Sequence, residues 1–210
     1  MIITKLEHSG FAVEKDKQTI LCDPVEFTTK LPFFNNVVGI IITHQHNDHL
    51  QPDLLSRLLA TYPTAQVLCP ADTTHLITPS ITVRDGDERE LAGFKLKFFG
   101  KDHALITPDQ IPCQNIGVVI DDLVANPGDS FTKPPIEQPA VLFVPISAPW
   151  CKVSESIDYV KAVRPGTVIP THDAVLSNIG RAFNNNWLQT ACASLGAKFA
   201  PLAPGASIEI

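Results

Sequence analysis

The sequence predicts an α/β fold in which strands outnumber helices about two to one. Short β-branched or apolar runs recur along the whole chain, and helical patterns interrupt them at three main places. No Gly/Ser linker or compositional break divides the 210 residues, so a single domain spanning 1–210 is expected. In order, the strand-like runs are residues 2–6, 11–14, 19–22, 37–43, 66–68, 81–84 and 94–99, then 116–120, 123–126, 140–146, 167–169 and 207–210. Asp121-Asp122, between two of these runs, suits a tight hairpin turn. The helical patterns are 52–61, with Leu54, Leu55, Leu58 and Leu59 on one face; 154–163, with Ile157, Val160 and Val163 on one face; and 187–195, closed by Gly196. Both halves run strands first and a helix afterwards, a pattern compatible with an internal duplication although no sequence repeat is visible.

Composition narrows the function classes. The chain is 44% apolar and has a mean hydropathy of +0.10, enough to bury a sizeable core and to exclude wholesale disorder. Acidic residues outnumber basic ones 22 to 16, for a net charge of −6, and no Lys/Arg cluster is present to track a phosphate backbone. Long nucleic acids are therefore not expected partners. The longest apolar runs, 37–42 and 140–146, fall far short of the ~20 residues of a membrane span. Glu7 and His8 occupy the place where a secretion signal needs an apolar stretch, so a cytoplasmic protein is expected. The five cysteines are odd in number and lack a CxxC pair, which reads as reduced thiols.

One segment carries most of the chemistry. The buried-strand run Ile40-Ile41-Ile42-Thr43 leads directly into His44-Gln45-His46-Asn47-Asp48-His49, which holds three histidines and an aspartate within six residues. Side chains alternate along an extended backbone, so the two imidazoles of an HxH pair face the same side and can share one cation. Asp48 and His49 fall on the turn into the following helix and can offer ligands to a second ion. One loop can thus serve two metals.

This HxHxDH signature resembles that of the metallo-β-lactamase superfamily. Later features fall in the superfamily's order: His103 after a strand, Asp129 in the Gly-Asp turn Asn126-Pro127-Gly128-Asp129-Ser130, and His172 after another strand. His8-Ser9-Gly10-Phe11 and Asp23-Pro24 are similar to the compact, lactonase-like branch, which includes ascorbate 6-phosphate lactonase. The resemblance implies a four-layer αββα sandwich with two mixed sheets face to face. It also implies that His44, His46 and His103 hold one divalent ion, Asp48, His49 and His172 a second, and that Asp129 bridges them. Imidazole and carboxylate ligands make Zn²⁺ the first choice, with Mn²⁺ or Fe²⁺ as alternatives. Two such ions would share a water and lower its pKa towards ~7, supplying hydroxide without a protein nucleophile.

The implied function is hydrolysis of a small-molecule lactone or ester, phosphorylated or not, with Asp48 and His8 as catalytic candidates. A phosphodiesterase or nucleotide hydrolase of the same superfamily is the alternative, followed by an iron-binding redox protein. Redox members of the superfamily usually replace one motif histidine with a carboxylate, whereas His44, His46 and His49 are all retained here. His8 is expected beside the cleft. Asp23 ends a strand, where it either orients a ligand histidine or serves the turn. Trp150 and the 106–115 loop are candidate substrate walls, while His75 matches no ligand position. A homo-oligomer is compatible with the sequence, which shows no particular interface.

Overall fold

The computed structural model describes residues 1–210 and arranges the chain as two seven-stranded sheets. The first contains β1 (Ile2–Lys5), β2 (Phe11–Lys15), β3 (Gln18–Cys22), β4 (Val37–Ile41), β5 (Gln66–Cys69) and β6 (Ile81–Thr82) in sequence order. The second contains β7 (Glu88–Leu91), β8 (Phe94–Phe99), β9 (Gly117–Ile120), β10 (Val124–Asn126), β11 (Val141–Pro145), β12 (Thr167–Thr171) and β13 (Lys198–Phe199), also in order. The last strand, β14 (Ser207–Glu209), returns to the first sheet beside β1. In each sheet the first three pairings are antiparallel and the last three parallel, so both sheets are mixed.

Period-two alternation explains the layering. Phe94, Leu96 and Phe98 of β8, Val118 and Ile120 of β9, and Val141 and Phe143 of β11 turn inward to meet Phe11, Val13, Ile20 and Ile41 of the first sheet. The Phe11 and Phe143 rings stack with centroids 3.8 Å apart. Each such side chain contributes about 1.5–3 kcal/mol when fully buried, so this middle layer joins the two halves of the chain. The alternate residues face outward. Ala12, Leu21, Ile40 and Val67 meet Leu55 of α1 (Pro52–Thr61). Val119, Leu142, Val144 and Val168 meet α2 (Val153–Val163) and α3 (Asn178–Ser194) through Tyr159, Val160, Val163, Leu188 and Cys192. The result is the expected αββα sandwich.

Local chemistry sets the element ends. Asp121 and Asp122 both adopt positive φ, 52° and 57°, and Leu123 N–H donates to the Ile120 carbonyl at 3.0 Å, which closes the expected hairpin. Three differences from the sequence expectation share one cause. Strands β7 and β13 lie at sheet edges and were not expected: β7 reads Glu-Arg-Glu-Leu and only Leu91 is buried. Helix α3 begins at Asn178 rather than 187. Gly180 and Asn184-Asn185-Asn186 are weak helix formers, and external contacts hold the first turns. Ser177 Oγ accepts the Gly180 N–H at 3.1 Å, and Asn184 Nδ2 donates to the Ile146 carbonyl at 2.8 Å. No helix is long and apolar enough to cross a membrane.

Candidate metal centre

The loops that follow β4, β8, β10 and β12 converge at one edge of the sandwich. They bring all seven expected residues into two adjacent groups. His44, His46 and His103 form one; Asp48, His49, Asp129 and His172 form the other, with the ligand atoms of each group within 4.8 Å of one another. All are buried except His46 and Asp48, which are partly exposed. Asp129 lies between the groups. Its Oδ1 is 3.0 Å from His49 Nε2 and 2.6 Å from His172 Nε2, while its Oδ2 is 3.3 Å from His103 Nε2.

Hydrogen bonds around the rim fix which nitrogen each ring presents. Asp23 is fully buried and accepts the Thr43 N–H at 2.8 Å, the Thr43 hydroxyl at 2.7 Å and His49 Nδ1–H at 2.8 Å. Having donated to Asp23, the Thr43 hydroxyl can accept from His44 Nδ1–H at 3.1 Å. His103 Nδ1–H donates to the Ala104 carbonyl at 2.5 Å. These three rings therefore aim Nε2 into the site, as metal-bound imidazoles do when their other nitrogen is hydrogen-bonded. His46 is reversed: Nδ1 faces His44 Nε2 at 3.1 Å and Nε2 lies 3.7 Å from Cys113 Sγ.

The donor set fits divalent ions. The His44 Nε2 to His46 Nδ1 separation of 3.1 Å suits a shared cation, since Zn–N bonds of 2.0–2.1 Å place tetrahedral ligand atoms roughly 3.3 Å apart. His49 Nε2 and His172 Nε2 are 3.0 Å apart. His103 Nε2 and Asp129 Oδ1 are buried without a hydrogen-bond partner of good geometry. Burial holds His44 well below the usual histidine pKa, assisted by the positive charge of neighbouring His49, so it remains a neutral ligand. Burial also opposes charge on His49, but Asp129 and Asp23 outweigh it and raise its pKa well above the usual value. Burial would likewise raise the Asp129 pKa; His172 and His49 instead hold it well below the carboxylate range. A centre that favours positive charge at His49 with carboxylates on both sides is one that a dication can occupy.

Backbone conformations match this crowding. His8, Asp23 and His172 lie in the left-handed region with φ of 56°, 43° and 59°, a strain of order 1–3 kcal/mol each that folds accept mainly at functional sites. Gly128 has φ +63°, and a Cβ there would collide with Asn115 Oδ1. Asn115 in turn accepts the Asp129 N–H at 2.9 Å and donates to the Pro127 carbonyl at 2.8 Å.

The secondary candidates divide. His8 is 1% exposed, and its Nε2 lies 3.3 Å from Asp48 Oδ2, while the Ser9 hydroxyl donates to the Asp48 carbonyl. Trp150 reaches the site and donates Nε1–H to Asp129 Oδ2 at 3.1 Å. From the 106–115 loop, Ile106 lines the cleft and Asn115 supports Asp129, whereas Ile111 is 92% exposed. His75 sits on an exposed 3-10 turn away from the site, and the cysteines are all free. Sequence reasoning missed Val175 and the supporting roles of Thr43 and Asn115, the latter expected only as part of a substrate wall. Only Thr43 had a readable signal, a hydroxyl directly preceding the histidine motif.

Comparison with known proteins agrees with this fold. The beta-lactamase superfamily domain matches residues 2–172. Protein Rv0786c of Mycobacterium tuberculosis is 34% identical over 183 residues, covering 84% of this chain and 86% of that protein. Among solved structures, Igni18, a metallo hydrolase from the archaeon Ignicoccus hospitalis, is 21% identical with a TM-score of 0.76, covering 100% of this chain and 98% of its own. CmlA, a diiron beta-hydroxylase from Streptomyces venezuelae, is 12% identical with a TM-score of 0.74, and the match covers 100% of this chain and 54% of CmlA. With the domain match spanning most of the sequence, the chain belongs to the beta-lactamase superfamily, a family of metal-dependent hydrolases.

Proposed function

We propose that the protein is a dinuclear metal hydrolase acting on a small-molecule lactone or ester. The observation that carries this reading is Asp129, with one carboxylate oxygen turned to each histidine group. His44, His46 and His103 would hold one divalent ion, and Asp48, His49 and His172 the other, with Zn²⁺ the first choice and Mn²⁺ or Fe²⁺ as alternatives. When bound, such ions lower the pKa of water and polarise an acyl oxygen.

The chain's own residues do the rest. Asp23, Thr43 and the Ala104 carbonyl fix the tautomers of His49, His44 and His103. Burial would raise the Asp48 pKa, but the His8 hydrogen bond and the charges of His49 and His172 keep it well below the usual range, so Asp48 is an ionised proton acceptor. Burial lowers the His8 pKa, and a neutral ring with its proton on Nε2 donates to Asp48 Oδ2 and orients it. In the reaction the acyl bond to the alcohol oxygen breaks and one to the water oxygen forms. The water proton passes to the departing alkoxide through Asp48.

The proposed partner is a small molecule rather than long nucleic acid or a membrane, and free thiols favour the cytoplasm. Ligands drawn from both sheets favour one indivisible domain. The test is turnover of a lactone and ester panel and of bis(p-nitrophenyl) phosphate by protein loaded with Zn²⁺ or Mn²⁺, alongside elemental analysis and a visible spectrum. Metal-dependent ester or lactone hydrolysis is expected. Turnover of the diester alone, or an iron-dependent visible band without hydrolysis, would overturn the reading.

A further inference from the structure

The cleft beside the proposed ligands encloses about 200 Å³, and its other walls are Ile106, Ser147, Ala148, Pro149, Trp150 and Val175. None of these carries a charge. Trp150 spends its one polar atom on Asp129, so the rest of its indole offers carbon. Ile106 and Val175 are 48% and 68% exposed at the mouth, where their apolar side chains are free to meet a ligand.

A second recess of about 360 Å³, lined by Phe27, Glu7, Asp173 and Arg181, shares His8 and Val175 with the cleft as walls. Its charges are already matched. Glu7 accepts the N–H groups of Phe27, Thr28 and Thr29 as well as the Thr28 hydroxyl. Arg181 Nη2 donates to the Asp173 carbonyl at 3.2 Å, and Arg181 Nε, 3.7 Å from Asp173 Oδ2, is paired by charge but makes no hydrogen bond. Buried Lys5 donates to the Leu6 and His8 carbonyls at 2.6 Å and lies 3.9 Å from Asp173 Oδ1. Two carboxylates thus balance two cations in the recess, and surplus positive charge in the cleft is confined to the proposed metal ions.

We propose that the substrates are neutral molecules whose non-reacting part is apolar and lies against Ile106, Trp150 and Val175, and that phosphorylated or carboxylated analogues are rejected. This rests on the metal-hydrolase reading above. An anionic group placed against these walls would lose hydration and gain no partner, whereas each methylene buried there strengthens binding about three- to fourfold.

The experiment titrates zinc-loaded protein with n-alkyl hydroxamates, read by tryptophan fluorescence and calorimetry, in parallel with ester turnover. The Kd should fall about three- to fourfold per methylene from two to six carbons, and a terminal carboxylate on the longest tail should weaken binding at least about tenfold. Val175→Lys should flatten the series and restore binding of the carboxylate tail. A Kd independent of tail length would overturn the inference. So would tighter binding of the carboxylate tail that is lost in Arg181→Ala, which would establish an ionic subsite instead. Failure is separable from that of the parent reading: tail-dependent binding without any ester or lactone turnover would overturn the hydrolytic reading and leave the apolar wall standing. Absence of zinc-dependent hydroxamate binding would overturn both.

Discussion

The two sheets share one pairing scheme but furnish the site differently. Aligning β14 with β7, β1 with β8, and so on to β6 with β13 reproduces three antiparallel and then three parallel pairings in each. The matching loops then correspond: His8 follows β1 as His103 follows β8, and Asp23 follows β3 as Asp129 follows β10. The loop after β4 carries His44, His46, Asp48 and His49, whereas its counterpart after β11 carries Ser147 to Trp150, a wall instead of ligands. The first sheet thus concentrates four proposed ligands in one segment, and the second spreads three over three loops. The corresponding carboxylates have diverged in what they hold, since Asp23 supports a histidine from behind while Asp129 reaches both groups. Shared topology supplies equivalent loop ends, and their side chains decide which end touches the reaction.

Exchanging the two carboxylates' chemistry should break the comparison most sharply. Asp129→Asn removes charge from the one side chain common to both groups. Activity should fall at least about 10³-fold, with metal content by elemental analysis dropping below two ions per chain. If Asp129→Asn kept two ions and wild-type turnover, the bridging role would be lost. Asp23→Asn should be milder, because only the orientation of His49 is loosened. Metal affinity measured by chelator competition should weaken about 10–100-fold, and excess Zn²⁺ should restore turnover. A loss that excess metal cannot rescue would place Asp23 in a role beyond positioning. The smallest effect belongs to His8, the member of the histidine pair that lies outside the ligand groups. His103→Ala should release an ion, whereas His8→Gln should retain both and lower kcat about tenfold with little change in KM, since its ring supports Asp48 from outside the ligand groups. Loss of an ion in His8→Gln would erase the distinction between the two loops.

Much of the site was legible because its chemistry is local. Four proposed ligands lie within six residues after an apolar run, and His103, Asp129 and His172 each follow a strand. The fold was legible wherever one face is buried, as in β8, where Phe94, Leu96 and Phe98 alternate with lysines and Phe99. Edge strand β7 and the first turns of α3 were not legible. Their residues lack a buried periodic face, and partners distant in sequence, such as Ile146 for Asn184, determine their conformation. Asn115 was unreadable for the same reason: it matters only because Gly128 and Asp129 pass beside it.

The sequence by itself determined the residue types of the proposed ligands and the strand and helix periodicities, because each depends on residue type and spacing along the chain, whereas the αββα layering was implied by the resemblance of its motifs to a known superfamily. Only the tertiary structure decided which nitrogen the rings of His44, His49 and His103 present, which oxygen of Asp129 turns to each group, and that Val175 joins Ile106 and Trp150 in walling the cleft. Those features arise from atoms that meet across two sheets, and a linear pattern carries no record of which loop ends a shared core will bring together.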